Sequence, residues 1–450
     1  MTTQHRQQKS TTTLDFFFFL SLFAWLPLPL GSNRIWAGLL FVALSSLLFS
    51  FTFFRLIKKA NPLPLAFKRA WPVTGLLLLA QLVVALQLMV GTTISRADTL
   101  YQLLLGFGYL AFYLTALLVI NSPKRLKTTL YIVVASGTFQ AIYGGWMTLS
   151  GSEYLFMLAK EHYLGTATGT FINRNHFAGY LVLCLSLGIG LMLANLSPTP
   201  IGGMKDLARK TLSALLSHKI IIRAALAIMV IGLVLSHSRM GNSSFFIALT
   251  ITAIIYLITQ RFSRQAIVLF VSLLIIDLFI VGAFFGVNKV VDRLSETSTT
   301  TESRDEVNRY TYQLFKDNVI IGTGAGSFAT VFPAYRQKDI TIFYDHAHND
   351  YLEFLSERGV LGTLPLFIAV VFSLVTATKT LMTRKNPLMK GTAFGCIMSI
   401  TALAIHSTVD FNLFIPANAA SFLLVLALSH LSLTLKTKNY LQRQNYNKAS

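Results

Sequence analysis

Apolar and polar positions along this chain fall into long blocks and do not alternate. Runs of about twenty apolar residues, the length that crosses a hydrocarbon core as a helix, cover residues 14–30, 35–57, 71–91, 100–120, 128–149, 176–196, 220–237, 243–260, 266–286, 359–378, 393–410 and 416–435. The pattern predicts an all-α polytopic membrane protein of twelve transmembrane helices with both termini on one side. Continuous runs exclude a membrane β-barrel, whose strands alternate. The first run ends in WLPLPLGSN, without a small-x-small cleavage site, so it reads as a span and not as a signal peptide. One stretch breaks the rhythm. Residues 288–358 stay polar, which divides the chain into spans one to nine (1–287), a large, partly helical loop (288–358), and spans ten to twelve with a tail (359–450).

Composition supports this division. Hydrophobic residues make up 54% of the 450, with 35 Phe. Cys184 and Cys396 both lie inside apolar runs, which indicates neither a disulfide framework nor a zinc site. The formal net charge of +20 would suit nucleic acid if it were spread evenly, but it is not. Assigning joints alternately to two sides puts 25 of the 38 basic residues on one side with only Asp15 and Asp206. The other side takes 15 of the 18 carboxylates, and Asp277 falls in mid-span. By the positive-inside rule the basic side is cytoplasmic, so both termini are cytoplasmic and the 288–358 loop is periplasmic. The basicity is a topology signal and predicts no nucleic-acid partner. No P-loop appears on the cytoplasmic side.

The candidate chemistry gathers on the outer side. In ESRDEVNRYTYQLFKDN a helix of about four turns is predicted, starting near Glu302 with an apolar stripe at Val307, Tyr310, Leu314 and Phe315, and carrying Arg304 and Arg309. Gly322, Gly324 and Gly326 in NVIIGTGAGSF permit a tight turn and close backbone approach to a ligand. In DHAHNDYLEFLSERGVLG, Asp345 reads as an N-cap, and helical spacing sets His348 on one face with Leu352 and Leu355. His348 is a candidate proton acceptor from a hydroxyl, with Asn349 and Glu353 to fix its tautomer or bind sugar hydroxyls. A metal site from His346, His348 and Asp345 or Asp350 is the alternative use of these groups, although no other cluster with ligand spacing supports it. Arg239, in SHSRMGNSS at the end of span seven, has no carboxylate neighbour in sequence, and its planar fork suits phosphate oxygens. Arg174, Asn175 and His176 stand at the start of span six, and His406 and Asp410 lie one helical turn apart at the end of span eleven.

Taken in order, SRMGNSS, the Arg309 helix before DNVIIGTGAGSF, and DHAHNDYLEFLSERGVLG resemble the O-antigen ligase and polymerase superfamily, as do GTFINRNHFAGYLVL and HSTVDFNLFIPANA. The resemblance spans roughly residues 165–420. It implies glycan transfer from a polyprenyl-diphosphate donor on the periplasmic face of the bacterial inner membrane, with neither cofactor nor metal. By position, Arg239 matches the family's membrane-boundary arginine, Arg309 its loop arginine and His348 its loop histidine. Tyr312 stands where many relatives carry tryptophan, and His346 is an additional histidine. The expected catalytic set is then His348, Arg309 and Arg239, with His346, Asn349, Glu353, Arg304, His406, Asp410, Asn175 and Arg174 binding substrate. The expected partners are the lipid-linked donor, a glycan or lipid A-core acceptor, and membrane lipid. A polysaccharide polymerase, a protein O-oligosaccharyltransferase and, from another class, a lipid-linked saccharide transporter are the alternatives. A transporter would place ionisable groups near mid-membrane, where only Asp277 lies.

Overall fold

The computed structural model describes residues 12–196, 218–260, 267, 270–272 and 304–436. In chain order its helices are α1 Thr13–Trp25, α2 Ile35–Lys58, the short α3 Leu65–Arg69, α4 Trp71–Val90, α5 Arg96–Val119, α6 Pro123–Ser150, α7 Arg174–Ala194, α8 His218–Leu235, α9 Arg239–Thr259, α10 Arg304–Asp317, the short α11 Phe328–Val331, α12 Asp350–Thr383, α13 Pro387–His406 and α14 Pro416–Thr434. Among the described residues the only strands are β1 Tyr154–Leu155 and β2 Leu158–Ala159, which form a small hairpin.

The all-α membrane class holds. Among the described residues, α2, α4, α5, α7, α9, α12, α13 and α14 are long and apolar enough to cross a membrane, whereas α1 and the Ile220–Leu235 part of α8 are apolar but shorter. The 28-residue α6 is long enough but more polar, with Lys124, Arg125 and Lys127 in its first turns. The ninth predicted span, 266–286, lies almost wholly outside the described residues, as do loop residues 288–303.

Burial ranks the helices. α7 and α14 are sheathed on nearly all sides, while α2, α4 and α12 turn most of their apolar residues outward. Helices that are apolar all round belong at the centre of a bundle in lipid. Where α7 meets α13, a Cβ on Gly190 would stand 2.2 Å from the Gly391 carbonyl oxygen, so only glycine lets these backbones approach so closely.

From residue 304 onward the polar loop packs into a small domain of its own. Val307, Tyr310 and Leu314 of α10 bury against Phe328, Val331, Phe332, Ile340, Tyr344 and Ala347, a small apolar core separate from that of the bundle. The predicted α10 stripe is therefore real, with Thr311 buried beside it and Phe315 only half-buried. The domain docks through a break in α12. Gly359 (φ 59°, ψ −173°) takes a conformation open in practice only to glycine, and it interrupts the hydrogen bonding of the helix. Segment 319–324 fills the gap: Val360 N donates to Val319 O (2.8 Å) and Leu361 N to Ile320 O (3.1 Å). Thr323 N donates in return to Ser356 O (3.0 Å), and Gly324 N to Glu357 O (2.9 Å). Gln87 of α4 locks this seam, donating to Ile321 O (2.6 Å) and Glu357 O (2.8 Å) and accepting from Ala325 N (3.1 Å). The glycine reading changes accordingly. Gly322 and Gly324 do permit close approach, but to the Glu357 backbone and to Thr93, not to a ligand.

Candidate functional site

The helix carrying the second histidine motif starts later than its sequence predicts. Asn349, not Asp345, is the N-cap of α12, and its side-chain oxygen accepts from Tyr351 N (3.1 Å) and Leu352 N (3.2 Å). Asn349 is thus committed to the helix. His348 lies before the helix in the left-handed region (φ 51°), so helical spacing does not decide where it points. A non-glycine residue held there is strained, and such residues cluster at functional sites.

His348 is aimed by its packing instead. Asp350 ties the start of α12 to the turn after α13. Its backbone N–H donates to Ser407 O (3.0 Å) and Asp410 O (3.1 Å), and its carboxylate accepts from Ser407 Oγ (2.6 Å) and Leu413 N (3.3 Å). This bolt brings the 346–350 segment over Asp410 and Phe411.

Asp410, fully buried, is the hub. Its Oδ1 lies 3.5 Å from His176 Nε2 and 3.7 Å from His348 Nδ1, and its Oδ2 lies 3.7 Å from His406 Nε2. Burial pushes the Asp410 carboxyl up, but His176 and His348 outweigh it and hold the group well below the ordinary carboxylate range. None of the three imidazole contacts closes to a hydrogen bond, so the centre keeps donors and acceptors unmet. Phe411 packs in the same space, with His346 stacked on its ring (4.1 Å between centroids) and His348 and His176 edge-on (4.8 and 4.4 Å).

The two loop histidines differ sharply. His346 Nδ1 meets Glu353 Oε1 at 2.5 Å, and the other oxygen of that buried carboxylate accepts from Ala347 N at 2.7 Å. Burial pulls the His346 pKa down, yet the Glu353 carboxylate, by charge and hydrogen bond, carries it up to about 9. Glu353 therefore partners His346 and not His348, and it favours the cationic form of His346.

Arginines approach the hub from two sides. Arg304, in the first turn of α10, donates from Nη1 to Val409 O (3.3 Å), next to Asp410. Arg174 lies over the Tyr163 ring (5.5 Å). The Tyr163 hydroxyl is raised by burial first and Asp410 second, while Arg174 and Arg304 act against them, so all four groups share one neighbourhood. Asn175 sits half-buried in the first turn of α7, its N–H capped by Asn173 Oδ1 (2.8 Å). Arg239 is exposed at the first position of α9, where Gly241 packs on Ala178 of α7, and so stands at the same end of the bundle as His176. Arg309 is placed apart. Its Nη2 donates to Tyr310 Oη (2.8 Å) and Asp339 Oδ2 (3.2 Å), on the exposed side of the loop domain.

The structure thus gathers His348, His346, Glu353, His406, Asp410, Arg304 and Arg174 of the residues expected from sequence. It adds His176, Tyr163 and Phe411. His176 and Phe411 carried a signal, since INRNHF and HSTVDFNLFIPANA belong to the stretches resembling the family; Tyr163 carried none. The groups proposed as metal ligands diverge, because His346 turns to Glu353 and Asp350 to Ser407 and Leu413. Among the described residues no three His, Cys, Asp or Glu side chains are grouped to hold a metal ion.

Fold and site together define a polytopic α-helical membrane protein with a histidine–carboxylate–arginine centre at one end of its bundle. The O-antigen ligase family model matches residues 224–368 of the 450, which supports the resemblance to the O-antigen ligase and polymerase superfamily. The match supports ligase- or polymerase-type glycan transfer in general, with a lipid-linked glycan donor and a glycan acceptor. No match to a curated protein was found.

Proposed function

We propose that the protein transfers a glycan from a polyprenyl-diphosphate donor to an acceptor sugar hydroxyl, that of lipid A-core, at the periplasmic face of a bacterial inner membrane. This reading takes twelve crossings, cytoplasmic termini and a periplasmic 288–358 loop from the charge asymmetry. The observation that carries the chemistry is the buried Asp410 carboxyl group facing His348 Nδ1 at 3.7 Å. A carboxylate beside an imidazole orients it and stabilises the imidazolium formed on proton uptake. His348 takes the acceptor hydroxyl proton, the oxygen attacks the anomeric carbon, and the carbon–oxygen bond to the diphosphate breaks with inversion. The lipid diphosphate leaves as an anion, for which arginines provide forked, charge-assisted donors.

Arg239 and Arg309 are the clamp arginines by resemblance, and Arg304 and Arg174 are those the geometry favours. Arg309 can join, since its pair with Asp339 is exposed and such pairs are worth about 0–1 kcal/mol. His346, held as a cation, serves the departing charge or the positioning of Phe411, not proton abstraction. The test is transfer by purified variants supplied with lipid-linked donor and either lipid A-core or a second lipid-linked chain. Transfer to the first acceptor supports ligation; transfer to the second alone replaces it by polymerisation. Transfer to neither, with wild-type protein folded, refutes the proposal.

A further inference from the structure

A second feature of the molecule lies within the bundle. A partly open cavity of about 140 Å³ is lined by residues of α4, α5, α12 and α14 together with Leu413 and Phe414. Arg358 and Gln102, near the ends of α12 and α5 that face the histidine centre, mark one end, and Val370 and Leu426, deeper along their helices, mark the other; Gln81 and Tyr109 are the polar side chains between them in an otherwise mostly apolar lining. Beyond the break at Gly359, the helix from Val360 to Val370 rises about 15 Å, the ~15 Å depth of one leaflet's hydrocarbon. The cavity therefore has the polarity profile of one amphiphile standing in the leaflet on the histidine side.

Arg358 gives the site its chemistry. It is 7% exposed, and its guanidinium lies over the Phe354 ring (4.5 Å) and near that of Phe414 (5.9 Å). Glu357 Oε2 stands 3.7 Å from Nη1, near enough to offset charge but too far to accept a hydrogen bond, and Nη1 has no partner. An arginine at a membrane boundary with an orphaned donor is costly unless an acceptor arrives. Glu357 faces the guanidinium without closing a hydrogen bond, so what is missing is an acceptor oxygen. Lipid phosphates supply one at this depth, and guanidinium binds phosphate with charge-assisted bonds.

We propose that this cavity binds a phosphate-headed lipid, with Arg358 holding a phosphate oxygen and one hydrocarbon chain lying along Leu366, Val370, Leu423 and Leu426. The site is separate from the transfer centre and stands whether or not the transfer reading does. Phe414 nevertheless links the two, since it packs on both His346 (5.0 Å) and Phe354 (4.8 Å).

The experiment is lipid binding to the full-length protein in maltoside micelles, followed by native mass spectrometry. The probes are phosphatidic acid, a prenyl monophosphate and, as a phosphate-free control, diacylglycerol. Arg358→Lys keeps the charge beside Glu357 but loses the fork, and Leu423→Trp fills the apolar end away from the head. We expect a phosphate lipid to bind wild type, the control not to, and each variant to bind at least tenfold more weakly. Binding of only one phosphate probe would identify the source of the lipid. Equal retention by wild type and both variants, equal binding of diacylglycerol, or no retained lipid at all would overturn the proposal.

Discussion

Replacing Glu353 by Gln should change the charge of His346 and leave the local fold in place. Gln is isosteric, and its oxygen can still accept from Ala347 N, which now donates to Glu353 Oε2 at 2.7 Å. What it removes is the carboxylate 2.5 Å from His346 Nδ1. With that carboxylate the imidazole titrates at about 9, against 6.5 for the free side chain, so at pH 7 only about one molecule in a hundred is neutral. The shift corresponds to about 3 kcal/mol of stability. A raised pKa sets the sign: this contribution is fully present below pH ~6.5 and is lost as pH rises through about 9. We therefore expect wild type in micelles to lose a few degrees of Tm between pH 6 and pH 10. Glu353→Gln should begin lower and show little of that decline. Histidine-labelled NMR should report the His346 titration directly, near 9 in wild type and well below it in the variant. If His346 titrates near 6.5 in wild type, or if Glu353→Gln leaves its titration unmoved, the ion pair is not what holds this histidine, and the case against His346 as the base falls with it.

Other expectations follow from the same geometry. Loss of a general base costs about 10²–10⁴-fold in rate, so His348→Ala should abolish detectable glycan transfer while His346→Ala keeps part of it. The reverse pattern would exchange their roles. Arg304→Lys should impair transfer more than Arg309→Lys, since Arg304 borders Asp410 through Val409 O whereas Arg309 faces Asp339; equal and full activity of both would remove the diphosphate clamp. Transfer should survive EDTA, and a loss restored by one divalent ion would establish a metal requirement. A cysteine at the exposed Lys338 should react with an impermeant reagent from the periplasm, and one at Lys385 only after permeabilisation; the opposite result would invert the topology.

Much of this architecture could be read from the chain because lipid imposes it. A helix in hydrocarbon must be apolar for about twenty residues, so eleven of the twelve predicted runs coincide with described helices, even where α1 is short and α6 comparatively polar. The site was legible as a set of residue types gathered at one end, and less so as an arrangement. His348 was aimed by an assumed helix from Asp345, but the chain uses Asn349 as the cap and holds His348 in a left-handed turn. Two properties decide that outcome, and neither is periodic. Asp350 is occupied by Ser407 and Leu413, and Asp410 is surrounded by the imidazoles of His176, His348 and His406. The partners of Asp350 lie about sixty residues away along the chain, beyond the reach of any local pattern.

The same limit explains the glycines and the acidic residues. GTGAGSF resembles a ligand-binding turn because a glycine-rich turn admits any close neighbour, and sequence does not name the neighbour. Here it is the broken backbone of α12, which needs an outside segment, residues 319–320, to satisfy the N–H groups freed after Gly359. The loop domain is therefore fastened by the interruption of a membrane helix, and the fastening begins about two helical turns beyond His348. Glu353 and Glu357, spaced one turn apart, show how position alone divides their tasks: one carboxylate turns up to charge His346, the other down to receive Phe328 N and stand beside Arg358. Any force that shifts the seam at Gly359 moves both together. Histidine centre and membrane cavity are thus built on one short segment, and a substitution in either is expected to register in the other through Phe414.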